Sequence, residues 1–349
     1  MLYEISLEEK TAWESIVKGF ADCDIYYLPD YVKAFAENGD GKSLLFYYEE
    51  RGLKAANVVM LRDLAEDIHF RNRLKAGEYF DLATPYGYGG FLLQGASSIE
   101  NKRALDESYT QYCKNRGIIS EFVRFHPVLK NQEPLSDIYE IEKIGSTVTI
   151  HLGSREQMLA NLSVNNRNKL RKAQKAGVKI EWGNSEQLYD RFMEMYGNTM
   201  RRNGASDYYY FQKDFFDCVR KELKDASMLF YAVYKNEIIA MSIVLFSNDK
   251  MHYHLSAMEE SYKNLAPVNL LLFEAALYGA QRGCREFHLG GGVGSREDSL
   301  FQFKIGFCRD GKNEFYIGKK IIDMQKYQKL IEMRADDGRN TDYFPLYRG

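Results

Sequence analysis

Cysteine is sparse in this 349-residue chain. Cys23, Cys113, Cys218, Cys284 and Cys308 are an odd number at long spacings, and no two form a C-x-x-C pair. That argues against a disulfide framework or a zinc ribbon. Long apolar runs are missing too: none approaches the ~20 residues of a spanning helix. The opening MLYEISLEEKTAW has neither the basic nor the apolar stretch of a secretion signal. No integral membrane segment is expected, and a cytoplasmic location is. A charge surplus is also absent. With 47 Lys and Arg against 49 Asp and Glu, the net charge of −2 gives no global attraction to nucleic acid or membrane, so such a partner has to meet a local patch. There is no GxxxxGK[ST] phosphate loop, and Gly292-Val293-Gly294 lacks the third glycine of a dinucleotide fingerprint. No Ser/His/Asp or Cys/His set is evident, which argues against a covalent intermediate.

Aromatic residues, by contrast, are plentiful. With 26 Tyr and 21 Phe, the chain can build surfaces that are both apolar and hydrogen-bonding, as in clefts, or simply a tyrosine-rich core. Its length suggests two domains.

The chain is organised around HLGGGVGSREDSLFQFKIGF, His288 to Phe307. A short strand runs into Gly290, Gly291, Gly292 and Gly294, which let another group approach closely. Ser295 and Asp298 are candidate N-caps for the helix that follows. On that helix Leu300, Phe303, Lys304 and Phe307 share one face, so a lysine interrupts an apolar stripe. Either Lys304 snorkels to water, or it holds a positive charge beside a glycine-lined cleft.

Ser6 and Glu9 suggest a capping box for a first helix, and a second follows Pro29. Strands at 43–48 and 56–61 read as a hairpin through Glu50-Arg51-Gly52, and 80–93 as a strand region broken by Pro85, Gly87, Gly89 and Gly90. A helix over 98–116, a strand over 118–125, a linker near 128–137 and extended chain over 139–152 complete this half. Ser154 and Gln157 open helices that end at Gly177, and further helical patterns follow Gln187 and Tyr210. A meander over 229–234, 238–246 and 251–257 comes next, with a helix over 267–282, the glycine-ended strand, the Lys304 helix and a strand over 314–322. Both halves thus repeat one order of helices, meander, long helix and strand. The fold class read from this order is mixed α/β, one α/β unit used twice.

That order resembles the GNAT acyltransferase fold in tandem, and specifically the Fem-like (FemAB/FemX) peptidyltransferases and their BioF-like acetyltransferase relatives. The residues carrying the resemblance are Asn166-Arg167-Asn168-Lys169-Leu170-Arg171-Lys172-Ala173 with Gly177-Val178, then Thr199-Met200-Arg201-Arg202, Gly283 to Gly292, and Phe303-Lys304-Ile305-Gly306-Phe307. The resemblance implies a first GNAT-like domain over 1–145 that binds acceptor and a second over 146–349 that binds donor and performs catalysis. It implies aminoacyl transfer from aminoacyl-tRNA to an amine of a peptidoglycan precursor in the cell-wall pathway. Lys304, next to Phe303, would stabilise the oxyanion. Arg202 would grip acceptor phosphate, and Lys33 matches more loosely as a second phosphate contact.

Other acceptor candidates are Tyr86 and Tyr88, in a turn rich in aromatic and glycine residues, and Tyr210 beside Arg202. Each reads equally well as a packed tyrosine. For the donor, Gly291, Gly292 and Asn264 lie at the glycine-lined strand end and before the long helix. The stretch from Ser261 to Pro267 stands where a [QR]xxGx[GA] coenzyme A loop would be and has no glycine. Arg167 and Arg171 belong to an acid-free run, Asn165 to Lys179, that reads either as a phosphate-tracking surface or as a solvated helix face. His252 and His254, with His288, mark a metal-hydrolase alternative, and the favoured reading has no metal and no cofactor. The remaining alternatives are acyl-CoA-dependent acetylation of a small amine and a non-catalytic ligand-binding protein of the same fold.

Overall fold

The computed structural model describes residues 1–334 and 340–349. The chain divides into two compact units, 1–144 with 315–349 and 145–314.

In chain order the first unit carries β1 (Leu2–Ser6), α1 (Lys10–Lys18), α2 (Pro29–Glu37), β2 (Lys42–Glu50), β3 (Leu53–Asp63), β4 (Phe80–Ala83), β5 (Leu92–Gly95), α3 (Ile99–Asn115) and β6 (Ile118–Arg124). Strand β7 (Glu140–His151) carries the chain onward. The second unit continues with α4 (Arg155–Asn161), α5 (Val164–Ala176), β8 (Lys179–Gly183), α6 (Glu186–Arg202), α7 (Lys213–Glu222), β9 (Ser227–Tyr234), β10 (Glu237–Ser247), β11 (Lys250–Met258), α8 (Pro267–Gln281), β12 (Glu286–Gly291) and α9 (Ser299–Ile305). Strand β13 (Lys312–Ile321) and α10 (Met324–Met333) follow.

The first unit orders its strands β1-β2-β3-β4-β6-β13, with β5 also on β3. The β2–β3–β4 meander is antiparallel, α3 crosses over, and β6 returns parallel to β4. The second unit repeats the plan: β9, β10 and β11 form the meander, α8 crosses, and β12 returns parallel to β11. The doubled α/β unit expected from the element order is present.

The sequence reading assigns 315–349 to the second domain, but the structure puts them in the first. Ile317–Ile321 pair antiparallel with β6, and Arg348 bonds the buried Asp81 carboxylate at 2.6 Å. In the second unit, the stretch of β7 from Thr147 to His151 takes the place beside β12. The first unit's sheet is thus completed by a strand that follows the second unit in sequence. Element order alone does not reveal such a return.

The expected linker is ordered. Asn131, Gln132 and Leu135 are buried, and the Asn131 amide donates to the Gly89 and Phe91 carbonyls at 2.9 and 3.3 Å. Both predicted capping boxes form, at Ser6/Glu9 and at Ser154/Gln157. Gly177 closes α5 in the left-handed conformation, φ 88°, which glycine adopts without strain. Helix α8 is the spine of the second core. Nine of its residues are buried, which is why its composition is apolar on every side. A Cβ at Gly279 would lie 1.8 Å from Met251 Sδ, so glycine here lets helix and strand touch.

Candidate active site around Lys304

Strands β11 and β12 pair only through Lys250↔Glu286, Met251↔Phe287 and His252↔His288. Beyond these residues β11 runs on to Met258 and β12 to Gly291 without further pairing, so the two strands part. The β10–β11 register shifts between Ile243, opposite Leu255, and Val244, opposite Tyr253. His254 is the extra residue, and a bulge there bends β11.

Helix α9 sits at the end of β12. Asp298 caps it, with Oδ1 accepting from Phe301 N and Oδ2 from Val293 N, both at 3.0 Å. A Cβ on Gly292 would lie 2.1 Å from the Arg296 carbonyl, so only glycine fits where the loop folds over the cap. Of the two predicted caps, Asp298 serves, while Ser295 lies in the preceding 3-10 turn. The apolar stripe is rotated from the expected one. Leu300 is 37% exposed and Phe301 2%, because α9 is only seven residues long and turns Phe301, Lys304 and Phe307 inward. Phe303 is half-buried and edge-on to Phe307 at 5.4 Å.

Lys304 does not snorkel. It is 7% exposed, its ammonium donates to the Gly291 carbonyl at 2.6 Å, and it lies 5.8 Å from the centre of the Tyr253 ring on β11. The lysine therefore touches residues of both parted strands. Burial pulls its pKa from 10.5 down to about 8, against a smaller upward pull from Asp298. A single carbonyl contact leaves ammonium N–H groups for a developing oxyanion. Tyr253 is the contact missed by sequence reasoning, since nothing local ties a strand tyrosine to a helix fifty residues on.

The remaining candidates are placed as follows. Arg202, at the end of α6, is held by Glu260 at 3.5 Å and the Met258 carbonyl at 3.3 Å, beside the end of β11. Tyr210 is half-buried, its carbonyl accepting from Gln212. Asn264 is exposed in the 3-10 turn Glu260–Leu265 before α8. Arg167 lies on the first turn of α5 with a 3.5 Å contact to the Leu159 carbonyl, and Arg171 is exposed one turn on. Lys33, on α2, belongs to the first unit, as do Tyr86 and Tyr88. Tyr86 stacks on Phe35 at 5.3 Å. Tyr88 is not an open pocket wall. It is 7% exposed and edge-on to Tyr26 and Phe315, both at 5.4 Å, and burial raises its hydroxyl to about 12.

The histidines do not gather as a three-ligand set. The His288 ring nitrogen Nδ1 bonds Thr149 Oγ1 at 3.0 Å, the His252 and His288 rings stand 6.1 Å apart, and His254 is at the bulge. Burial, with His252 adding, lowers the His254 pKa to about 3. His151, Cys308 and Asp310 do bring donor atoms within 4.8 Å of one another. Burial, together with the Asp310 carboxylate, keeps the Cys308 thiol up at about 11, and it donates to Asp310 at 3.1 Å.

At the start of α5, Ser163 N donates to the Gly306 carbonyl at 2.9 Å, joining the helix to the end of α9. Asn166 is buried and accepts from Asn269 on α8 at 3.2 Å, while its own Nδ2 has no acceptor among the described residues. The N-terminal ends of α5 and α8 therefore meet beside the lysine helix.

The second unit thus has a meander with a bulged third strand, a long crossover helix and a parallel strand that parts from its neighbour. Residues 162–300 match an acetyltransferase (GNAT) domain. This segment is similar to a GNAT domain. Over 173 residues, 48% of the chain and 49% of the relative, the sequence is 25% identical to the UDP-N-acetylmuramoylpentapeptide-lysine N(6)-alanyltransferase of Weissella viridescens. The match thus spans about half the length of that curated relative. FemX is similar in structure, with 13% identity, 94% of this chain and 99% of that one covered, and a TM-score of 0.66. A tandem GNAT protein from the clavulanic acid biosynthesis pathway superposes at a TM-score of 0.51, with 7% identity and 92% and 98% covered. The chain therefore has a tandem, Fem-like GNAT fold. Among the described residues, no helix is long and apolar enough to cross a membrane.

Proposed function

We propose that this protein is an N-acyltransferase of the Fem-like kind, moving an aminoacyl group from aminoacyl-tRNA to an amine of a peptidoglycan precursor in the cytoplasm. The observation that carries the reading is the Lys304 ammonium, buried where β11 and β12 part and held by one backbone carbonyl. The relative from Weissella viridescens, whose name specifies a muramoylpentapeptide lysine as acceptor, supports the choice of substrates.

In this reading the neutral acceptor amine attacks the donor's ester carbonyl directly. A C–N bond forms, the carbonyl oxygen becomes an oxyanion beside Lys304, and the C–O bond to the leaving hydroxyl breaks as that oxygen takes up the amine's proton. Donor and acceptor are the only reactants, and no cofactor or metal is called for. Arg202, fixed by Glu260, binds acceptor phosphate. Tyr210 is a further acceptor contact. Gly291, Gly292, Asn264 and Arg167 face the donor.

A second reading keeps the fold and takes acyl-CoA. It is favoured by the start of α8, where Ala266 supplies no side-chain cap and leaves the first N–H groups of a fifteen-residue helix open to a pyrophosphate. A donor assay separates the two: purified protein and a murein precursor, supplied in parallel with charged tRNA or acetyl-CoA, with label followed into the acceptor. Transfer from charged tRNA is expected. Transfer from acetyl-CoA alone would replace the first reading by the second.

A further inference from the structure

Helix α5 presents a row of cations with nothing to neutralise it. Arg171, Lys172, Lys175 and, just past the helix, Lys179 are exposed, and among the described residues none has a carboxylate partner. Basic side chains on neighbouring elements behave differently: Arg191, Arg202, Arg220, Lys213 and Lys250 each pair with an acid. An unpaired row of one sign is an attractive surface for a polyanion.

The row has a direction. Helix α5 starts where it abuts Gly306 at the end of the lysine helix and runs thirteen residues, roughly 20 Å, away from it, with the cations on its second half and just beyond. At the far end is a cleft of about 410 Å3 formed by Gln174, Val178, Lys179, Trp182, Leu270 and Glu274. Trp182 is 50% exposed, with its ring 5.1 Å from Tyr278 and 6.1 Å from Phe230. Arg282 lies 5.5 Å from the Tyr278 ring and 5.7 Å from that of Phe246. The two acids at the cleft are already engaged, Glu181 by the Tyr231 hydroxyl at 3.2 Å and Glu274 by Arg155 at 3.8 Å.

We propose that the exposed face of α5 and the Trp182 cleft bind single-stranded RNA, the cations tracking phosphates and the Trp182 ring stacking a base. The inference rests on the reading that the donor is carried on tRNA, and it locates the RNA's path. An exposed indole backed by other rings and reached along unpaired cations is the arrangement by which proteins hold single strands without reading sequence. An anionic lipid surface would share the charge preference but has no use for a stacking platform.

The test uses the full chain and a fluorescein-labelled RNA hairpin with a short unpaired 3′ end, followed by anisotropy over a salt series and by tryptophan fluorescence. The chain has two tryptophans, and Trp13 is fully buried, so quenching reports Trp182. Wild-type protein binds with quenching. Trp182→Ala weakens binding about tenfold, and Trp182→Phe, which still stacks, keeps most of it. Glutamine at Arg171, Lys172 and Lys175 together flattens the salt slope by about 2, as expected for three lost single-strand phosphate contacts.

If the hairpin binds but these variants bind it like wild type, the surface is wrong and the tRNA donor stands. If the wild type ignores RNA and turns over with acetyl-CoA, the donor reading falls and the surface with it. Quenching by phosphatidylglycerol vesicles and not by RNA overturns the inference in favour of a lipid surface.

Discussion

A lysine that is 7% exposed in an otherwise apolar setting is costly to keep charged, and its pKa of about 8 records that cost. The folded pKa lies below the ordinary lysine value, so between about pH 8 and 10.5 the unfolded chain holds the proton that the folded chain has lost. The wild type should therefore gain stability relative to Lys304→Met across this window. At pH 7 the variant should exceed the wild type by roughly 3 kcal/mol, a gap that closes towards pH 10.5 and that denaturant titration at several pH values will show. A gap that does not change with pH would mean the ammonium is solvated. A trade of stability for a charged group also marks the difference between this site and the core. At Arg202 the expectation differs. In the proposed reading it grips the acceptor away from the reacting atoms, so Arg202→Ala should raise KM for a phosphate-bearing acceptor about tenfold and leave kcat within about twofold.

At the scale of elements, the residues that fix structure locally were readable. Ser6/Glu9 and Ser154/Gln157 announced helix starts through their own side chains, Gly177 announced a stop, and the three-strand meander followed from alternation and turns. The elements that went unread have weak local signals. Strand β1 is five residues at the chain's start, and α10 lies beyond the last strand foreseen. Also unread was the C-terminal stretch, where Tyr347 is fully buried and hydrogen-bonded to Ser120 at 2.7 Å, and Arg348 joins Asp81 and Asp67, both at 2.6 Å. Those partners are more than 220 residues away in sequence, beyond any local pattern. Burial pushes the Asp81 carboxyl upward, but Arg62 and Arg348 outweigh it and hold the pKa below the ordinary value. Its contribution to stability is thus present at neutral pH and lost as the solution is acidified through that lowered pKa. Arg348→Ala leaves Asp81 buried with one cation fewer, and thermal unfolding should show a loss of about 3 kcal/mol. Gly279→Ala, which drives a methyl into Met251, should cost about 1–3 kcal/mol in the same measurement.

At the scale of the whole molecule, the repeated α/β plan was legible because element order survives when sequence similarity between the halves does not. The return of β13 to the first unit was not, because it reads as an ordinary strand wherever it pairs. One consequence is that a fragment ending at residue 144 lacks the strand that borders β6 and the tail that covers Asp81. It should be unfolded by circular dichroism, whereas adding residues 315–349 in trans should restore structure. The candidate site was legible in part: Lys304, Phe303, Gly291 and Gly292 lie together in the structure, while Tyr253 and the Asn166–Asn269 contact come from packing that no spacing encodes. The proposed function converges on that lysine. The most direct measurement is single-turnover transfer from charged tRNA to a murein precursor by wild type and Lys304→Met, with donor binding measured alongside. Loss of at least ~100-fold in rate at unchanged donor affinity is the predicted result, and a rate near that of the wild type would remove Lys304 from the chemistry.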